Sequence, residues 1–131
     1  MTSLSPTPRR RSGGHLLVAA TLRSPVRQAL GHLTLLEYAA ADGRRVRLPV
    51  QYARWRDELV LAAGRARDKT WWRAFRSPRR ATLILDGVVL EGVGHVVRRD
   101  DPTWSQVAIA YQRVHPLARL DTAEIVLLRR L

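Results

Sequence analysis

From Leu33 onward the apolar residues come in short runs, several at two-residue spacing, broken by Gly, Asp and Pro, which is the pattern of β-strands joined by tight turns. Leu33 to Ala39 and Arg45 to Tyr52 flank a turn at Asp42-Gly43 and read as a hairpin. In its second arm Val46, Leu48, Val50 and Tyr52 share one side, and Arg45, Arg47, Pro49 and Gln51 the other. Leu59 to Ala63 is an unbroken apolar run, led in by Arg56-Asp57-Glu58 and stopped by Gly64, so a deeply buried strand is expected. Ala81 to Leu85 and Val88 to Val97 flank Asp86-Gly87, a two-residue turn whose glycine tolerates positive φ. Gly92 and Gly94 inside the second arm mark a bulge, a barrel corner or a place where another group packs on the backbone. Glu124 to Leu128 forms a last strand.

Helical signals are fewer. Asp68 is placed to cap a helix running to about Arg76, which Ser77-Pro78 ends. Asp100-Asp101-Pro102 leads into a second helix reaching about His115, with Trp104, Val107, Ala108 and Tyr111 on one face. His15 to Leu30 reads as one or two short helices interrupted at Ser24-Pro25, and residues 1–14 as a disordered basic tail. Six strands with helices after the third and before the sixth predict a mainly β protein, a small antiparallel barrel covered by helices in a single domain over residues 15–131.

Charge changes this picture. The 131 residues hold 22 arginines and one lysine against 11 carboxylates, a formal net charge of +12. Such a field favours polyanions or a phosphorylated cofactor, although a bias toward arginine with solvated side chains explains the same composition. There are no cysteines, which excludes disulfides and thiolate metal sites and fits a reducing compartment, so the expected location is cytoplasmic. Arg9-Arg10-Arg11 before His15 to Leu22 imitates an export signal. Its apolar part spans only about eight residues, far short of the ~20 that cross a bilayer, so no membrane span is expected. The four histidines show no metal-ligand spacing, and no nucleophile elbow, Walker loop or paired-carboxylate pattern occurs.

The densest chemistry lies in Asp68-Lys69-Thr70-Trp71-Trp72-Arg73-Ala74-Phe75, after the strand that ends at Gly64. A glycine, a basic loop and a helix start predict an anion seat, with a phosphate near Lys69. Trp71 and Phe75, four apart, read as core anchors. With Gly43 six residues before Pro49, the Leu48-Pro49-Val50-Gln51-Tyr52 strand, the Leu59 to Gly64 strand and the Leu85 to Val97 hairpin, the order of parts over Leu33 to Val97 resembles the deazaflavin-dependent nitroreductases of the pyridoxamine 5'-phosphate oxidase-like superfamily. Ala74-Phe75 departs from that family's frequent Asn-Leu, and Val46 stands where relatives often carry a basic residue.

The resemblance implies a six-stranded antiparallel split β-barrel with short flanking helices. It implies a reductase using reduced coenzyme F420, a deazaflavin, with FMN as second choice, that passes hydride to a small organic acceptor. Arg47, Pro49, Val50 and Gln51 would lie along the ring, and Ala63, Gly64, Lys69, Trp72 and Arg73 around ribityl and phosphate. Arginines 65, 67, 73, 76, 79 and 80 supply a counter-field for the coenzyme's anionic tail. Tyr111 reads first as core, and the resemblance also makes it a substrate-pocket residue. A homodimer paired across an open barrel edge remains open. The alternatives are a flavin- or deazaflavin-storage protein without turnover and, more weakly, a nucleic-acid-binding barrel, since the aromatics do not alternate with basic residues along strands.

Overall fold

The computed structural model describes residues 33–131, and the expected tail and the His15 to Leu30 helices lie outside the described residues. All six expected strands form: β1 (Leu33–Ala39), β2 (Arg45–Trp55), β3 (Glu58–Ala63), β4 (Arg79–Leu85), β5 (Val88–Val97) and β6 (Glu124–Arg130). They close into an antiparallel barrel in the order β1-β2-β3-β6-β5-β4. The closing contact pairs Leu35 with Ile84, Leu36 with Leu83 and Glu37 with Thr82. Each of the six described strands pairs on both sides over part of its length: β2 meets β1 through Arg45 to Gln51 and β3 through Tyr52 to Trp55.

Two of the turns follow the expected chemistry. Asp86 at φ 49° and Gly87 at φ 79° make the left-handed pair that a two-residue hairpin needs. At the first hairpin Gly43 sits at φ 84°, donates its N–H to the Ala40 carbonyl at 2.9 Å, and Asp42 Oδ1 accepts from the Arg44 N–H at 2.9 Å. The third was not visible in the sequence. β2 continues past Tyr52 to Trp55 and reverses at Arg56-Asp57, with Arg56 at φ 57° and its guanidinium 4.5 Å above the Trp55 ring.

The barrel has two apolar cores. Inward residues such as Leu36, Tyr38, Val50, Leu61, Leu83 and Leu128 fill the interior. Val60, Ile125 and Leu127 face the other way and pack with Val107, Ala108 and Tyr111 of α1 (Trp104–Val114). β3 and β6 are therefore buried on both faces, which is why their sequences are apolar runs rather than alternations. α1 starts later than its acidic lead-in: Asp101 precedes it, accepting the Trp104 N–H on its carbonyl at 2.9 Å and the Thr103 N–H on Oδ1 at 2.8 Å.

Phe75 completes the interior. It is fully buried, edge-on to Tyr38 at 5.2 Å and to Trp71 at 6.3 Å. Its ring lies where residue 94 has no side chain: a Cβ built on Gly94 would meet Phe75 Cδ1 at 2.9 Å and Cε1 at 3.0 Å. Of the options the sequence left for this glycine, close packing on the backbone is the one found. Gly94→Ala is expected to lower the unfolding free energy by about 1–3 kcal/mol. Gly64→Ala, whose Cβ meets nothing within 4 Å, is expected to change it by less than about 0.5 kcal/mol. Urea unfolding of the two variants decides it, and a Gly94→Ala midpoint equal to wild type would show that Phe75 is not seated there.

Candidate functional site

The chain leaves β3 at Gly64 and turns through Arg65, a non-glycine residue at φ 49°. A 3-10 turn follows at Ala66–Asp68 and a second at Trp71–Phe75, with Lys69 extended between them. The expected helix from Asp68 to Arg76 does not form. Asp68 closes the first turn instead of capping a helix, and Thr70 makes no side-chain cap. The physical reason is length: six residues between Thr70 and the Ser77-Pro78 stop cannot repay helix nucleation, and Trp71 and Phe75 must both reach the core. A helix dipole therefore contributes nothing to an anion seat here, and any such seat must be built from side chains and loop backbone.

The segment is nonetheless held firmly. Trp72 Nε1 donates to the Ala66 carbonyl at 2.8 Å and to the Lys69 carbonyl at 3.1 Å. The Ala66 N–H donates to the Thr122 carbonyl at 3.0 Å, tying the turn to the stretch before β6.

Two clefts adjoin along this segment, sharing Gly64 and Arg119. The smaller, about 440 Å³, lies between Pro49, Val50 and Gln51 of β2, Lys69 and Trp71, and the Ala118 to Leu120 loop, with Tyr111 and Leu33 also in its wall. The larger, about 880 Å³, is lined by Gly64 to Asp68, Trp72, Arg99, Arg119 and Asp121 to Glu124. Their walls carry the cations Arg65, Arg67, Lys69, Arg99 and Arg119 against the acids Asp68, Asp121 and Glu124. Arg65 reaches Asp68 at 3.9 Å and Arg119 reaches Asp121 at 3.7 Å, both exposed pairs of small energetic weight. Lys69 makes no ion pair among the described residues.

Of the residues singled out in the sequence, Pro49, Val50, Gln51, Gly64, Lys69 and Tyr111 come together in the smaller cleft, and Trp72 lines the larger one. Ala63 points into the barrel interior. Arg47 lies on the outer wall in an ion pair with Glu37, which also holds Arg45 at 3.1 Å. Arg73 is exposed, with its guanidinium 5.7 Å from the Trp72 ring. Of the six arginines of the expected counter-field, Arg65 and Arg67 line a cleft, whereas Arg79 is used on the Ala74 and Ala39 carbonyls at 3.0 and 2.5 Å. Arg119 and Arg99 were missed. Both sit in loops, where no periodicity announces them.

Tyr111 joins cleft and core. Its ring lies 4.4 Å from that of His115, whose Nε2 is 2.8 Å from the Tyr52 carbonyl oxygen. Burial raises the Tyr111 pKa from 10.0 to about 12. At neutral pH the phenol is thus a neutral wall and hydrogen-bond donor, and no base.

Neither a family model nor a curated protein matches the sequence. Solved structures do. The heme storage protein HutZ from Vibrio cholerae matches at TM-score 0.58 and 12% identity over 79% of this chain and 84% of its own. A pyridoxamine 5'-phosphate oxidase-related, FMN-binding protein from Nostoc punctiforme matches at 0.55 and 9% over 91% and 81%. An F420-H2-dependent reductase matches at 0.53 and 12% over 75% and 94%. The chain has the split-barrel fold that these proteins share. Among the described residues no helix is long and apolar enough to cross a membrane.

The raised Tyr111 pKa predicts an alkaline loss of stability. Unfolding exposes the phenol, which then ionises near 10.0, so the contribution is complete below that pH and lost as pH rises through about 12. The loss at the top of this window is roughly 2–3 kcal/mol. Tyr38, also raised by burial, is common to wild type and Tyr111→Phe, so the difference between their urea stabilities across the window isolates Tyr111. Parallel pH dependences would mean that the phenol is hydrated.

Proposed function

We propose that the two-lobed cleft binds a phosphorylated flavin-type coenzyme, coenzyme F420 in first place and FMN in second, and that the protein reduces a small organic acceptor with it. One observation carries this reading: a small cleft walled by Pro49, Val50 and Tyr111 runs, at Gly64, into a larger lobe rich in arginine. The first suits a flat ring and the second an anionic extension. The size and charge of the second lobe favour the longer F420, with its phosphodiester and glutamate tail, over the mononucleotide.

Such a coenzyme supplies hydride chemistry when bound, which leaves binding, orientation and exclusion of water to the protein. Pro49, Val50 and Gln51 offer an edge of β2 to the ring. Gly64 lets a ligand approach the backbone, since nothing stands within 4 Å of where its Cβ would be. Lys69, Arg65, Arg67 and Arg119 offer charge-assisted bonds to phosphate oxygens. Arg47, Ala63 and Arg73 do not line either cleft, so they serve this reading through the wall or the outer field. A heme finds less here: among the described residues neither cleft presents a His, Cys or Met to iron, and burial holds the one tyrosine, Tyr111, in its neutral form.

Lys69→Ala is expected to weaken coenzyme binding about tenfold or more. Fluorescence titration with F420 and with FMN measures it, and unchanged affinity would remove Lys69 from the site. Turnover of quinones or nitroaromatics by the loaded protein distinguishes a reductase from a storage protein, which would retain the coenzyme without turnover. Steep salt-dependent binding of random DNA with no coenzyme retained would favour the nucleic-acid reading.

The homodimer belongs to the same proposal. Pro49, Leu35, Ile84 and Val89 stand in register across β2, β1, β4 and β5 and form an apolar row on the outer wall. The next row, Arg47, Glu37, Thr82 and Glu91, carries both signs of charge, so two copies related by a two-fold axis can match acids to arginines. Val89, 57% exposed, is the accessible end of the apolar row. Val89→Asp is expected to turn a dimer into a monomer in analytical ultracentrifugation, and a monomeric wild type would end this part of the proposal.

A further inference from the structure

The second wall of the cleft is the stretch between α1 and β6, residues 115–123, which lies outside helix and strand. It carries Ala118, Arg119 and Leu120 into the smaller cleft and Arg119 and Asp121 into the larger. Its own backbone bonds are two turns, Ala118 N–H to the His115 carbonyl at 3.0 Å and Ala123 N–H to the Leu120 carbonyl at 3.3 Å. Neither fixes the loop against the barrel, a task shared by the Ala66 N–H on the Thr122 carbonyl at 3.0 Å, Gln112 Nε2 on the Ala118 carbonyl at 3.0 Å and one arginine.

Arg99, two residues beyond the end of β5, reaches across to it. Its Nη2 lies 2.6 Å from the Leu120 carbonyl oxygen, 2.9 Å from that of Asp121 and 2.9 Å from that of Ala123. Two N–H groups on one nitrogen thus serve three acceptors, and the loop must curl around the guanidinium for all three to be in range. The guanidinium carbon also sits 4.6 Å above the Trp104 ring at the start of α1, so the brace is itself seated on a fixed aromatic plane.

We infer that Arg99 is a positioning residue of the cleft, bracing the 118–123 rim that carries Arg119 and Leu120. It acts in two ways. It fixes the rim before a ligand arrives, so that binding does not have to order it. It also holds three carbonyl oxygens on a cation, which keeps their partial negative charge from opposing an anionic ligand in the same cleft. Lysine cannot replace it, because its side chain ends one atom short of the Nη2 position and its ammonium does not stack flat on Trp104. The effect on ligand rests on the coenzyme reading; the bracing of the rim does not.

The test compares wild type, Arg99→Lys and Arg99→Met as full chains. Amide hydrogen exchange without ligand is expected to rise in residues 117–123 in both variants while β1 to β6 keep their protection. Titration with F420 and FMN is expected to show about tenfold weaker binding for both, with Arg99→Lys no better than Arg99→Met although its charge is kept. Unchanged exchange at the rim would overturn the inference, and so would an Arg99→Lys protein that binds like wild type. If wild type takes up neither coenzyme, the coenzyme reading falls, and exchange alone decides whether Arg99 braces the rim.

Discussion

The seating of Phe75 over Gly94 is the contact on which the cleft depends. A closed ring of six strands encloses its own apolar interior, yet Tyr38, Leu83 and Leu128 still need a cover, and the Trp71–Phe75 turn supplies it. The absent Cβ at residue 94 lets the ring approach the β5 backbone at a distance no other residue allows. Because Phe75 and Trp71 are anchored, Trp72 between them is turned outward, and its indole N–H gathers the Ala66 and Lys69 carbonyls. The cationic turn from Gly64 to Lys69 is therefore placed by core packing several residues downstream of it.

The second wall has a different origin. In the stretch after α1, His115, Leu120 and Ala123 are buried, and polar bonds add to their hold: Ala66 to Thr122, Gln112 to Ala118, and Arg99 to three carbonyls. The first wall thus rests on two large aromatic anchors, the second on smaller buried side chains and on hydrogen bonds that water can contest. Such an arrangement makes the rim the softer side of the cleft and the 64–72 turn the harder one.

What was legible in the sequence follows from which forces leave a pattern. Strands buried on one face alternate, as Val46, Leu48, Val50 and Tyr52 do in β2, and those buried on both faces run unbroken, as in β3; both kinds were readable. Turns were readable where glycine marks positive φ, at Gly43 and Gly87, and unreadable where Arg56 and Arg65 adopt it without one. The helix after Asp68 was wrongly expected because capping and aromatic spacing describe a 3-10 turn as well as an α-helix, and only the demand that Trp71 and Phe75 both enter the core decides. Six of the ten residues singled out for the site share the smaller cleft because β2, the loop after β3 and α1 all contribute to its wall. Arg99 and Arg119 left no signal, since a loop arginine bonded to a carbonyl looks like any other arginine in a chain that holds 22.

That abundance now divides by task. Arg45 and Arg47 serve Glu37, Arg129 lies 3.5 Å from Glu58, and Arg98 pairs with Asp100 at 3.0 Å. Arg79 and Arg99 serve backbone carbonyls, and Arg56, Arg73 and Arg76 lie over tryptophan rings. A solvated surplus and an anion-attracting field are therefore not rival accounts of the same side chains. Guanidinium is a general fastener, giving five donors on a plane that also stacks, and this chain uses it where others use asparagine, serine or a longer helix cap. What bears on function is the remainder: Lys69, without an ion-pair partner among the described residues, and Arg65, Arg67 and Arg119, weakly paired or without a carboxylate in reach, all lining the two clefts that meet at Gly64. Five cations face three carboxylates along these clefts, an excess of positive charge that a bound anion would offset, whereas the other cleft walls described here set Arg129 and Arg130 against Asp57 and Glu58, and Arg45 and Arg80 against Glu37 and Glu91.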